Sequence, residues 1–412
     1  MKVLKRTHLN LPRLFLIAGL IFQLAWYALL WASYISRPET LKAADFQIFY
    51  IAGRIAASDR YDLVYDAEAQ RQIQQELLGR PLQPSEILPF NHPPLLIPLQ
   101  ALVSTVEYPI AYLCWSSIML CLLIATASVI GRLLQEMGAQ ASPTRWMVLS
   151  IMLFYPVFIS ILKGQDTAFL LLGAVLWMYG VISRKDPSAG LGLAMMAIRP
   201  QIALMLGVPF LFTRRKVLGW AALFGIAHVA AFLLIGPQGL RRFVDMLLVS
   251  AGGEGYIINR GTMFNLAGAV IRFYPRMDAL VLQVIIWGAF LLSLAVLCYL
   301  WSKKKEIGLR HISLAMVLSL FAAPHLHYHD LALLQIPILC LMLMKIERGS
   351  QSSAWPIVFP ISLSLVLLVS DLWDPARYSI PYLIMALLAG WIWLVSGRPI
   401  PNLREKNAKD RP

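Results

Sequence analysis

The chain has 412 residues, 58% hydrophobic and only 14% charged, with a mean hydropathy of +0.66. Soluble domains carry about a quarter charged residues, so this composition excludes an ordinary water-soluble globule and makes lipid the expected solvent. The formal net charge of +14 is what basic loops on one side of a bilayer produce, which removes nucleic acid as the expected partner and leaves membrane lipids.

Apolar runs of about 17–25 residues recur along the whole length, as helices that cross a bilayer require. Backbone groups in hydrocarbon must be satisfied within their own segment, and no period-two alternation over ~10 residues repeats as an outer-membrane barrel would need. The expected fold is therefore all-α: a polytopic membrane protein forming a single integral membrane domain over 1–412, with about ten full spans plus short or re-entrant helices. The cysteines, Cys114, Cys121, Cys298 and Cys340, lie inside apolar runs without metal-ligand spacing; small buried hydrophobes are expected there.

In chain order, Lys2, Lys5, Arg6 and Arg13 precede the apolar run 14–35 and place the N-terminus in the cytoplasm. The run is too long for a signal-peptide core, so it is expected as a retained first helix. Residues 36–92 then form an external loop, in which 45–58 and 66–79 are expected as amphipathic helices lying on the membrane. Pro81, Pro84, Pro89, Pro93 and Pro94 break up the remainder. The run 94–106 is too short to span and dips before the span 108–131. Spans 146–162 and 166–183 present Lys163-Gly164-Gln165-Asp166 between them on the external face.

Residues 188–212 are flanked by Arg184-Lys185 and Arg214-Arg215-Lys216 and interrupted by Arg199-Pro200-Gln201. A short helical hairpin with Arg199 at its apex keeps both basic clusters inside, and such broken helices line polar cavities. Span 217–236 leads to a second external loop, 237–276, and span 278–301 returns. Span 312–330 carries Pro324-His325-Leu326-His327-Tyr328-His329-Asp330 outward, spans 331–346, 355–371 and 380–397 complete the set, and the basic tail is cytoplasmic. The Lys/Arg bias thus puts Asp45, Asp166, Arg199 and the histidine run together on the external side of an inner or plasma membrane.

Each of these residues has a structural role to set beside a chemical one. Asp45 suits an N-cap as well as a general base. Arg199 fits bidentate phosphate binding or an ion pair with Asp166, and Asp166 fits the start of its own helix or a supporting site role. In the run His325, His327, His329, Asp330, helical geometry puts only His325 and His329 on one face. Phosphate or acceptor hydrogen bonding is therefore expected over a divalent metal. Asp330 orients one of these histidines or an acceptor hydroxyl. Tyr50 and Trp115 suit packing or interfacial positions more than a sugar platform.

Several blocks resemble glycosyltransferase family 87, polyprenyl-phosphate-sugar-dependent enzymes of the GT-C membrane class. They are Asp45-Phe46 with Phe49-Tyr50 and Ala52-Gly53, then Tyr65-Asp66, His92-Pro93-Pro94, Gly164-Gln165, Ala189-Gly190-Leu191, Arg199-Pro200-Gln201, Phe264-Asn265-Leu266, and Pro324-His325 through Asp330-Leu331. His92 stands where family members often have Tyr, and Arg199 where Lys is common. The resemblance implies inverting transfer of a hexose, mannose foremost, from a polyprenyl-phosphate donor to an external glycolipid or glycan acceptor. It implies Asp45 as base; beside it, Arg199, His325, His327 and His329 are expected at the donor phosphate and Gln165, Asp166, Asp330, Tyr50 and His92 in support, with no cofactor. A lipid-linked sugar flippase without chemistry is the alternative, although no internal repeat favours it.

Overall fold

The computed structural model describes residues 11–139, 141–252, 260–304, 307–347 and 355–396. Lys2, Lys5, Arg6 and the basic tail after 397, on which the orientation of the termini rests, lie outside these residues. Every regular element among the described residues is helical, as lipid solvation demands.

Among the described residues five helices are long and apolar enough to cross a membrane: Ile17–Ser36, Tyr108–Glu136, Arg215–Val249, Ala279–Ser302 and Tyr328–Ile346. A sixth arises if Thr144–Met152 and Tyr155–Leu162, bent by 51°, count as one span. The expected ten are not confirmed: several apolar runs fold as helices of only 10–17 residues, among them Thr167–Ile182, Leu309–Ala322 and Ile357–Ser370. At ~1.5 Å per residue such helices fall short of the ~30 Å hydrocarbon core. They are apolar because protein surrounds them: in Thr167–Ile182, Leu170, Leu171, Ala174 and Trp177 have no exposed surface. Tyr328–Ile346 is likewise enclosed at the centre of the bundle. The outer helices instead expose apolar side chains, Leu223, Ile226 and Leu233 on one and Leu280, Val284 and Leu291 on another, as a surface facing lipid requires.

The expectation that 45–58 lies flat on the membrane is corrected. Helix Phe46–Ala57 is a core element, with Phe49, Ile51 and Ala52 wholly buried and only Arg54 and Ala57 exposed. Its alternation of aromatic and small residues reflects close helix packing. At Gly53 a Cβ would sit 2.3 Å from both the Gln100 carbonyl oxygen and Ser104 Oγ, so glycine lets this helix settle on Ile97–Val103. The second expected surface helix, Ala67–Leu78, is capped by Asp66 and closed by Gly79 at φ 68°. Its inward face is polar: Gln70 and Gln74 are buried and clamp the backbone of Phe90 and Leu88. That clamp sets the path of the chain into His92.

Residues 188–212 form helices Asp186–Met196 and Pro200–Gly207 and the 3-10 segment Val208–Phe212, with Arg199 at the break. The two ends meet, since Arg214 Nε bonds Asp186 Oδ1 at 2.9 Å and Arg214 Nη1 donates to the Val181 carbonyl at 3.1 Å. The segment doubles back on itself. The second expected loop, 237–276, is largely helical instead. The helix from Arg215 breaks at Gly236 (φ 67°, ψ 179°) and resumes at Pro237 to Gly252, and Leu266–Phe273 follows. Glycine permits the left-handed turn and proline suits the first turn of the resumed helix, so a pair that reads as a loop signal works as a kink.

Replacing Gly53 by Ala overpacks the seam between helices and is expected to lower stability by about 1–3 kcal/mol. Gly219→Ala, where the added Cβ meets open space, is expected to be neutral or slightly stabilising. Thermal unfolding of both variants in detergent checks the contrast.

Candidate active site

Asp45 immediately precedes helix Phe46–Ala57, yet its side chain makes no capping bond; the backbone there is already helical (φ −60°, ψ −18°) rather than extended as an N-cap requires. The carboxylate is thus left unused by its helix. It is half-buried, and Gln165 Nε2 donates to Oδ2 at 2.9 Å.

This contact is built by the backbone of 162–165. The Phe46 N–H donates to the Lys163 carbonyl (2.9 Å), Tyr112 Oη to the Leu162 carbonyl (2.9 Å) and Trp115 Nε1 to the Gly164 carbonyl (2.9 Å). Gly164 has φ +69°, and a Cβ there would lie 2.5 Å from Phe46 Cβ. Glycine is needed for both conformation and clearance. Trp115 is therefore a packing residue that also positions the turn.

Next in the chain, Asp166 is 1% exposed. It does not cap its helix either. Its oxygens face Arg199 Nη2 (2.9 Å), Arg199 Nη1 (3.4 Å) and His92 Nδ1 (3.0 Å). Burial pushes this carboxyl up, but Arg199 and His92 outweigh it and hold Asp166 well below the usual carboxylate range. Arg199, 8% exposed, reaches on through Nε to Asp330 Oδ1 at 3.6 Å. One cation therefore lies between two buried carboxylates.

His92 is held edge-on by Phe49 and face-on by Phe90, with ring centroids 5.0 and 5.6 Å away, while Tyr65 Oη donates to its carbonyl at 2.7 Å. Its Nδ1 is 3.0 Å from Asp166 and 2.9 Å from Arg199 Nη1. A neutral imidazole satisfies one of these at a time, donating to the carboxylate or accepting from the guanidinium. Burial first, then Arg199, lower its pKa, so neutrality is the resting state.

The histidine run is not helical between Ala323 and His327, which corrects the expected i,i+4 pairing of His325 with His329. Pro324 ends helix Leu309–Ala322, and the turn is pinned from outside. Asn265 Nδ2 donates to the Ala323 carbonyl (2.7 Å), Phe264 N–H to that of Leu326 (3.0 Å) and Gln201 Nε2 to that of His325 (3.3 Å). Successive rings then meet, His325 to His327 at 4.5 Å and His327 to His329 at 5.8 Å. Asp330, 2% exposed, accepts the His327 N–H at 3.1 Å and lies 3.7 Å from His329 Nε2. Among the described residues no group of three or more His, Cys, Asp or Glu side chains is arranged to hold a metal ion. Burial and then His329 push His327 down to about 4, and burial and then His327 push His325 well below its usual value.

The structure thus brings Asp45, His92, Gln165, Asp166, Arg199, His325, His327, His329 and Asp330 into one connected array. Tyr50 stands apart from these contacts. It lies five residues past Asp45 on the helix, about 140° around the axis, and its hydroxyl donates to the Val106 carbonyl (3.1 Å). Sequence reasoning passed over Lys163 as an individual, and over the group Tyr155, Asp371 and Arg377, in which Tyr155 Oη bonds Asp371 Oδ2 at 2.7 Å and Arg377 Nε lies 2.9 Å from Asp371 Oδ1. Their signal was charge placed just after the apolar run 355–370.

Two expectations follow. In the folded protein His327 is neutral down to about pH 4, whereas an unfolded chain takes up that proton near pH ~6.5. Its contribution to stability is complete above pH ~6.5 and is lost as pH falls toward 4. His327→Gln is therefore expected to flatten the fall in Tm between pH 7 and pH 4.5. Asp166→Asn leaves Arg199 underpaired in the interior and is expected to cost about 3–5 kcal/mol. Asp45→Asn, at a half-buried carboxylate with one hydrogen bond, is expected to cost no more than about 1 kcal/mol. Unfolding curves showing the opposite order would refute this division between structural and free carboxylates.

No curated protein matches the chain. The family model described as glycosyltransferase family 87 matches residues 90–324, more than half of the chain. The match spans His92, Gln165, Asp166 and Arg199, while Asp45 and residues 325–330 lie outside it. With its apolar spans, its buried charge array and this match, the chain belongs to glycosyltransferase family 87 and is a membrane glycosyltransferase.

Proposed function

We propose that the chain transfers a hexose, mannose foremost, from a polyprenyl-phosphate donor to a glycolipid or glycan acceptor, inverting the anomeric centre with Asp45 as base. The positive-inside pattern of the loops supports a site on the external face of an inner or plasma membrane, with both termini in the cytoplasm. The observation that carries this proposal is the Asp45 carboxylate: it caps nothing, remains half-buried, and is aimed by a buried amide, Gln165.

In the reaction, Asp45 takes the proton of the acceptor hydroxyl as that oxygen bonds to the sugar's anomeric carbon. The carbon–oxygen bond to the phosphate breaks, and its electron pair leaves with the polyprenyl phosphate. A base positioned within hydrogen-bond reach contributes about 10²–10⁴ in rate. His325, His327 and His329 line the donor side. The imidazoles of His325 and His327, kept neutral by burial, offer N–H groups to phosphate oxygens. Arg199 stands behind them, locking Asp166 and Asp330 in place. Asp166, Asp330 and His92 serve by keeping this wall rigid, and no resident cofactor is assigned.

The test is transfer of labelled mannose from polyprenyl-phosphate-mannose by purified protein, with glucose and galactose donors beside it. Asp45→Asn is expected to remain folded and to lose about 10²–10⁴ of the rate. Full activity in that folded variant overturns the base assignment.

A further inference from the structure

A donor that leaves as a phosphate needs a cation whose charge is not already taken. Arg199 does not meet this need: it sits between Asp166 and Asp330, so the trio carries one positive charge against two negative. A phosphate approaching it meets net repulsion.

Lys163 is differently placed. Its carbonyl accepts the N–H of Phe46, the residue after Asp45, and two residues further on Gln165 holds the Asp45 carboxylate. Its Nζ lies 5.5 Å from the centroid of the Tyr34 ring. Asp45 attracts it and Arg377 repels it, yet among the described residues no carboxylate stands within ion-pair distance of its ammonium. Burial favours loss of its proton, but Asp45 and Tyr34 more than offset this and keep Lys163 charged. A half-buried ammonium held on an aromatic face, without a carboxylate of its own, is costly unless an anion joins it.

We propose that Lys163, rather than Arg199, is the cation that receives the phosphate of the lipid donor, with Asp45 across the sugar. This rests on the polyprenyl-phosphate reading given above. It also fits the charge balance of the step. The donor is a phosphodiester with one negative charge, and the leaving lipid phosphate gains a second as the bond to the sugar breaks. An adjacent ammonium therefore stabilises the transition state more than the ground state.

The experiment is direct binding of a short-chain polyprenyl phosphate to detergent-purified protein by calorimetry, with the matching polyprenol as the probe lacking phosphate. Wild type is expected to prefer the phosphate. Lys163→Met is expected to bind it about 10- to 100-fold more weakly while binding the polyprenol unchanged. Lys163→Arg is expected to retain most of the preference, as is Asp45→Asn. Lys163→Gln replaces the methionine variant if that one aggregates. If wild type shows the preference and folded Lys163→Met or Lys163→Gln keeps it in full, the subsite is overturned and the donor reading survives. If wild type binds both lipids alike, the donor reading falls and the subsite falls with it.

Discussion

The structure depends on one buried arginine. Arg199 joins Asp166, at the start of helix Thr167–Ile182, to Asp330, in the turn that opens the central helix, and touches His92 from the loop before Pro93. Four stretches separated by up to 238 positions between His92 and Asp330 are thereby held at one point. Isolated charges in such a place are prohibitive, and a pair is stable only when geometry and extra hydrogen bonds offset desolvation. Here the extra bonds exist: Asp330 also takes the His327 N–H, and Asp166 faces His92. Removal of any one member strands the others, so the array acts as a registration pin for the helices that meet there.

The short helices follow from the same requirement. Phe46–Ala57, Thr167–Ile182 and Pro200–Gly207 all begin at the array, at Asp45, Asp166 and Arg199, and Leu309–Ala322 ends beside it. A helix that terminates inside the protein has backbone groups to satisfy, and this is tolerated only where polar partners gather. Asn265 shows how this is achieved. It is fully buried, caps Leu266–Phe273 through its oxygen, and bonds the Ala323 carbonyl through its nitrogen.

Two kinds of carboxylate result. Asp166 and Asp330 are locked by cation and backbone, and their immobility is what makes the wall rigid. Asp45 is held only through an amide, on a turn whose path is decided by Gly164 and by three backbone carbonyl contacts. In the proposed reaction Asp45 exchanges the proton and is bound only by an amide, while Asp166 and Asp330 face Arg199. The two kinds of carboxylate are linked by a single residue step along the chain, from Gln165, which holds Asp45, to Asp166, which faces Arg199.

By itself the sequence determined the all-helical class and the lipid environment, and it pointed to Asp45, Asp166, Arg199 and the histidine run as neighbours, because charges beside apolar runs are costly. It also marked the break at Arg199, since Pro200 cannot continue a helix begun before it. The number of spans was beyond it. An apolar residue facing lipid and one facing protein look alike in composition, so Thr167–Ile182 and Leu309–Ala322 read as spans and Phe46–Ala57 as a surface helix. Only the tertiary structure decided which nitrogen meets which oxygen: that Arg199 is taken by two carboxylates, that Lys163 pairs with none among the described residues, that the Tyr50 hydroxyl bonds the Val106 carbonyl, and that His327 sits between its two neighbours. Those outcomes depend on contacts between segments distant in the chain, where spacing along the backbone carries no information about distance in space.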